Sequence, residues 1–177
     1  PGREPGTGYP SAGPLPHLMD VWKAGGPAID FLAPDFYNPR FKHWNDLYTR
    51  QDNPLFIPEH RFDNTVAAKA LFAIGHYGSI GFSPFSIESK EHPEEEDLGK
   101  VYGLVNQLTP LIIDHQGQKK INGVLLDKVK KETIFTLGDY EFTTRHSHTL
   151  GWEAAANNES WEPAGAIFIQ TGESEFY

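Results

Sequence analysis

Glu59 stands in the segment NPLFIPEH, residues 53–60. A short apolar stretch there ends abruptly in a carboxylate, and a helical pattern opens a few residues later. In parallel α/β proteins, ligands and reacting groups gather at the carboxyl ends of strands. A carboxylate on such a rim suits glycoside hydrolysis, which needs two carboxyl groups beside the scissile bond. One protonates the leaving oxygen. In retaining enzymes the other attacks the anomeric carbon, and the pair stands about 5–5.5 Å apart. The plainer alternative is a polar loop residue. Asp35 and Tyr37 close the preceding apolar stretch, so the same rim is expected to hold them beside Glu59. A phenol that donates to a carboxylate orients it and favours its charged form. Competing readings have Asp35 as a helix cap and Tyr37 packed on Trp44. Phe82 and Phe85 end a third stretch, where they could wall a sugar site or fill the core.

Other candidates carry less. His146 and His148 form an H-x-H pair. On a strand both rings face one side, which suits zinc. No third ligand is identifiable, and Thr143, Thr144, Arg145 and Ser147 suggest a polar surface instead. The acidic run His92–Asp97 (HPEEED) reads as a solvated lead-in to a helix, whose positive end acids suit, rather than a metal site. Trp152 and Trp161 flank an Asn/Glu-rich loop and could stack on sugars, though core or interface packing is the simpler use. Ser83 and Ser86 lack a visible His/Asp pairing, so a hydrolase triad is not supported. No metal or organic cofactor is called for.

The elements that must position these residues follow a repeating order. Residues 1–14 are Pro/Gly-rich and read as loop. Leu15, Leu18, Met19 and Trp22 mark a helix over Leu15–Ala24, stopped by Gly25-Gly26. Ala28–Ala33 reads as a short strand. Asn38-Pro39 opens a second helix, with Phe41, Trp44 and Tyr48 on one face. Leu55–Ile57 is the next strand. Asp63 or Asn64 caps a third helix that buries Val66, Ala67, Ala70, Leu71 and Ile74. Tyr77–Phe82 is a third strand. Three helix–strand units in about 85 residues imply parallel strands with right-handed crossovers. Eight such units would fill the ~250 residues of a (β/α)8 barrel. A three-strand parallel sheet alone would leave both edges open. The spacing suits the last part of such a barrel, although an open doubly wound sheet also fits the arithmetic. Gly75, Gly78 and Gly81 do not follow a dinucleotide-binding spacing.

A long helix then runs from the acidic stretch through Leu98, Val101, Tyr102, Val105, Leu108, Leu111 and Ile112. Pro110 is expected to kink it or end its regular part. Beyond Gly117 the pattern turns to strands at Gly123–Leu126, Thr133–Leu137, Tyr140–Thr143, Ala166–Thr171 and Ser174–Tyr177, with Gly138-Asp139 as a hairpin turn. The expected organisation is α/β then β: residues 1–90 as barrel units, 91–117 as a closing and linking helix, and 118–177 as the start of an antiparallel β-sandwich-like domain.

Composition bounds the function. The chain has 177 residues, a net charge of −9, 38% hydrophobic and 13% aromatic residues, and no cysteine. No basic stripe is present to release counterions from nucleic acid, and the charge disfavours anionic membranes. Disulfides, thiolate metal sites and a Cys nucleophile are excluded. No run approaches the ~18 apolar residues of a membrane span. Pro1 follows no start Met and Tyr177 ends inside an expected strand, so both ends read as cuts.

The strings SAGPLPHLMDVWKAGGPAIDFLAPDFY, NPLFIPEH and AIGHYGSIGFSPFSIES together resemble bacterial family 35 glycoside hydrolases of the β-galactosidase type. The subgroup with its own C-terminal β domain is the nearest, and residues 1–90 carry the more specific part. The resemblance implies a retaining mechanism on a (β/α)8 TIM-type barrel, with the three strands as its sixth, seventh and eighth. It implies Glu59 as nucleophile and places Tyr37 where related barrels contact substrate or nucleophile. Asp35 and Phe82 join Tyr37 as expected substrate contacts. The family's acid/base Glu closes the fourth strand, and no segment here corresponds to it. Glu88 lies after the eighth strand and cannot replace it. The chain alone is therefore expected to be inactive, with a β-galactoside as substrate and the missing N-terminal part of the barrel as partner. A polysaccharide-degrading role favours a periplasmic or extracellular setting. The rival reading is a non-catalytic carbohydrate-binding or interaction module built on the Trp-bearing β segment.

Overall fold

The computed structural model describes residues 14–177. The loop expected over residues 1–14 lies, but for its last residue, outside them. The chain is mixed α/β with small sheets. It divides into two compact units: the chain through Phe62 together with Ser79–Ser89, and Asp63–Gly78 together with Lys90–Tyr177.

In the first unit, a 3-10 turn at Pro16–Leu18 leads into α1, Met19–Gly25. Strand β1 is Asp35–Phe36, helix α2 is Phe41–Tyr48, β2 is Ile57–His60 and β3 is Phe82–Pro84. The three strands form one sheet in the order β1-β2-β3, and both pairings are parallel. The pairing is the expected one, but the strands lie nearer their carboxyl ends than the apolar runs. Ala28–Ala33 in particular is not a strand. Its backbone is tied by a side chain instead of a ladder. Buried Asn53 accepts from Leu32 N at 2.8 Å and donates to Leu32 O at 3.0 Å and to Tyr48 O at 2.9 Å. Helix α2 starts later than Asn38-Pro39 suggests. Asn38 Oδ1 accepts from Arg40 N at 2.8 Å, a local Asx turn that delays the helix. The core of this unit is aromatic. Phe36 meets Phe41 edge-on at 5.0 Å and stacks on His60 at 5.9 Å.

The second unit opens with α3, Val66–Tyr77, then α4, Asp97–His115. Strands β4 (Ile121–Leu126) and β7 (Ala164–Ile169) pair antiparallel, as do β5 (Glu132–Leu137) and β6 (Tyr140–Arg145). Asp63 serves the α3 entry as expected, accepting from Thr65 N at 2.9 Å. Gly78 at φ 62 ends the helix in the left-handed conformation. Helix α4 runs through Pro110 to His115, so the proline does not end it. Gly138, at φ +60, opens the two-residue turn between β5 and β6. The final segment returns against β7: Ile169 and Tyr177 exchange backbone hydrogen bonds, each 2.8 Å.

Helix α3 packs on β4 and β7 through backbone-to-backbone contact. A Cβ on Gly75 would stand 2.8 Å from Gly123 Cα, and one on Gly165 would stand 2.7 Å from Ala68 Cα. Sequence patterning places α3 in the third βα unit and the strands after residue 118 apart from it. The structure groups them together: one break between its compact units, at Ser89/Lys90, falls beside the expected boundary at 90, but Asp63–Gly78 joins the later chain and no break falls at 118. The glycines explain why: they bring a helix with small residues on its face directly onto the sheet.

Candidate active site

Parallel register sets the site. Asp35 pairs with Glu59 and Phe36 with His60 across β1 and β2. Side chains alternate along a strand, so Asp35 and Glu59 share one face while Phe36 and His60 share the other. Phe36 and His60 are buried, at 0% and 2% exposure. The His60 ring also lies 5.6 Å from Phe41 and 5.2 Å from Phe82. Its Nδ1 stands 2.6 Å from Arg61 O, and a carbonyl neighbour makes that nitrogen the protonated one. On the far side of β2, Phe85 N donates to His60 O at 2.8 Å. The carboxylate thus stands on a strand end anchored by its own neighbour.

Tyr37 completes the rim. Its hydroxyl donates a hydrogen bond to Glu59 Oε1. The Tyr37 phenol is pushed up to about 12 by desolvation, by this hydrogen bond and by the Glu59 and Asp35 charges, against a smaller opposing pull from Arg61. It is therefore a hydrogen-bond donor throughout the neutral range. Desolvation and the Glu59 charge raise the Asp35 carboxyl above its ordinary 3.8. Tyr48, the buried last residue of α2, is raised to about 12 by burial first and the Asp35 charge second. Asp35, Tyr37 and Glu59 are thus one electrostatic group, as their strand-end positions suggest.

Phe82 requires a correction. It is 6% exposed and packs on His60, so its ring fills the core under the rim and does not present a wall to a sugar. Phe85, at 57% exposure, is the aromatic that β3 leaves in solvent. Ser86 follows at φ 59, one of two non-glycine residues with positive φ among those described. Glu88 is exposed on a 3-10 turn, Ile87–Ser89. His60 and Asn53 carry no functional signal in the sequence, because a buried polar side chain is recognised only once its partners are in place. A His following Glu59 on an alternating strand is the one available hint.

The remaining candidates lie in the second unit. His146 and His148 are not on a strand. His146 is buried, accepts from His148 N at 3.2 Å to cap a 3-10 turn, and has Nε2 2.9 Å from Glu162 O. Both ring nitrogens of His146 are used by backbone, which leaves no lone pair for a metal. Trp161 is buried against both histidines, 4.8 Å from His146 and 5.5 Å from His148, with its Nε1 donating to Ala156 O at 3.2 Å. It is a core residue, while Trp152 is 85% exposed. His92, Glu94 and Glu95 lie close enough to share a cation, yet all three are exposed.

Residues 98–177 match the family model of a domain of unknown function, DUF5597. The match covers α4 and the four antiparallel strands and stops short of the Glu59 rim. No curated protein matches the chain.

Proposed function

We propose that the first unit is part of a retaining exo-glycosidase of the family 35 type, acting on terminal β-galactosides by double displacement. Glu59 attacks the anomeric carbon and forms the glycosyl-enzyme. Tyr37 holds the attacking carboxylate by its hydrogen bond and stays protonated while it does so. Asp35, on the same strand face, meets sugar hydroxyls. A carboxylic acid outside this chain protonates the leaving oxygen and then activates the water of the second step. The three strands are then the sixth, seventh and eighth of a (β/α)8 barrel. Residues 98–177 serve as an accessory β domain.

The observation that carries this reading is the Tyr37–Glu59 hydrogen bond at the carboxyl end of two parallel strands. A phenol and two carboxyl groups at that place form a reactive rim rather than a solvated loop. Placing Trp161 in the core removes half of the platform on which the binding-module alternative relies. The test is turnover by the complete barrel on a panel of nitrophenyl glycosides. Preference for the β-galactoside with net retention supports the proposal, and inversion or inactivity on every glycoside defeats it.

A further inference from the structure

The second unit contains a pocket of about 420 Å³ that the Glu59 chemistry does not use. It lies where the carboxyl ends of α3 and α4 meet β4 and β5. Its volume falls within the roughly 300–1,000 Å³ of small-molecule sites. Six side chains supply its chemistry: His76, Tyr77, Gln116, Lys119, Asn122 and Phe135.

Most of these are held in place. Gln116 Nε2 donates to Gly78 O at 2.8 Å. The His76 ring stacks on Phe72 at 4.8 Å and meets Tyr77 edge-on at 4.8 Å. Its Nδ1 stands 3.3 Å from Asn122 Oδ1. Phe135 stacks on Phe142 at 5.3 Å. Groups ordered before a ligand arrives lose little freedom on binding it.

Charge selects the ligand. The chain has 24 acidic residues against 15 Lys and Arg, yet no Asp or Glu lines this pocket and Lys119 does. Among the described residues Lys119 forms no ion pair. Its backbone sits at φ 58, a conformation that glycine adopts without penalty and lysine does not. The position thus keeps an ammonium where backbone geometry alone would select glycine. One cation in the lining matches one carboxylate. The Asn122 and Gln116 amides both donate and accept, as neighbouring sugar hydroxyls do. The Tyr77 and Phe135 rings suit the apolar face of a pyranose.

We propose that this pocket binds a carboxylated sugar, a hexuronate unit, with its carboxylate on Lys119 and its hydroxyls on Asn122 and Gln116. The site belongs to the second unit alone and does not rest on the Glu59 reading.

The experiment is amide-resolved NMR titration of this chain with galacturonate, galactose and acetate. Galacturonate should saturably shift the amides of Lys119 and Asn122, with galactose and acetate each at least about tenfold weaker, a difference of ~1.4 kcal/mol. Lys119→Gly removes the ammonium and relaxes the backbone, so it should weaken galacturonate about tenfold or more while Tm holds or rises. Lys119→Gln, which keeps the side-chain bulk, should weaken it comparably. Absence of saturable shifts with galacturonate, equal affinity for galactose or acetate, or undiminished binding by Lys119→Gly would each overturn the proposal.

Discussion

The Tyr37 phenol donates its hydrogen bond to the Glu59 carboxylate across the ends of two adjacent parallel strands. The contact joins residues 22 apart in sequence. It follows from register: Asp35 opposite Glu59 brings the residue two places beyond Asp35 over the same rim. Desolvation first, then the hydrogen bond to Glu59 and the surrounding negative charge, keep the phenol protonated. Tyr37 is thereby a donor to the Glu59 carboxylate throughout the neutral range.

Tyr37→Phe removes that donor and little else. Hydrogen bonds to charged groups contribute roughly 1.5–3 kcal/mol. On the proposed mechanism, kcat/KM of the complete barrel should fall by about ten- to a hundredfold. Tyr37 is 42% exposed, so stability should change by less than about 0.5 kcal/mol. Steady-state kinetics and thermal melts of the same variant check both halves.

Asp35 gives a pH signature. Its carboxyl titrates above 3.8 because desolvation, then the Glu59 charge, disfavour its ionised form. A raised folded pKa contributes stability that is present below the unfolded value and lost as pH rises through the folded one. Asp35→Asn imitates the protonated state, so it should melt higher than wild type at neutral pH. That advantage should shrink as pH falls through the raised folded pKa and Asp35 itself takes up a proton. Melts of both proteins across pH 3–8 give the difference curve; a neutral-pH deficit for the variant would contradict the assignment.

The α3–sheet contact predicts a large loss from a small change. A Cβ at residue 123 would meet His76 N at 2.6 Å and Phe72 O at 2.8 Å, both backbone atoms. Backbone cannot rotate aside as a side chain can. Gly123→Ala should cost about 2–3 kcal/mol or more through overpacking, read by denaturant unfolding. Gly103→Ala, where a Cβ meets nothing within 4 Å, is the control. It sits inside α4 and should stabilise by up to about 1 kcal/mol through helix propensity.

Asn53 predicts a loss of the same order in the first unit. Its amide makes three hydrogen bonds to Leu32 and Tyr48 backbone. Asn53→Ala strands part-buried polar groups and should cost roughly 2–4 kcal/mol. Asn53→Asp keeps the acceptor for Leu32 N and loses both donor contacts, and should fall no less.

Much of this was legible in the sequence. Helical periodicity gave the four α-helices of the described residues, because their buried faces recur at the helical spacing. The parallel order of the first three strands followed from alternation with helices. The rim residues Asp35, Tyr37 and Glu59 followed from their place after apolar stretches. What was not legible depends on partners far along the chain. Ala28–Ala33 has the composition of a strand, but the Asn53 side chain takes its Leu32 backbone groups. Phe82 and Phe85 look alike in sequence, yet alternation sends one beneath the rim and the other into solvent. Nothing local marks α3 as the neighbour of β4 and β7; glycines at 75, 123 and 165 do so only once paired. His146 looks like a surface group in a polar segment and instead packs on Trp161, for which core packing was the simpler reading.

The most direct test of the central claim is azide rescue of Glu59→Ala in the complete barrel. Removing a nucleophile should cost several kcal/mol of transition-state stabilisation, with each ~1.4 kcal/mol worth tenfold in rate. Folding should survive, since Glu59 lies at the rim rather than in the core. Azide can enter the vacated space and attack the anomeric carbon from the side Glu59 occupied. The account predicts recovered turnover with azide and a galactosyl azide of inverted, α configuration. Turnover by Glu59→Ala within about tenfold of wild type without azide would contradict it, and would move the search to Asp35.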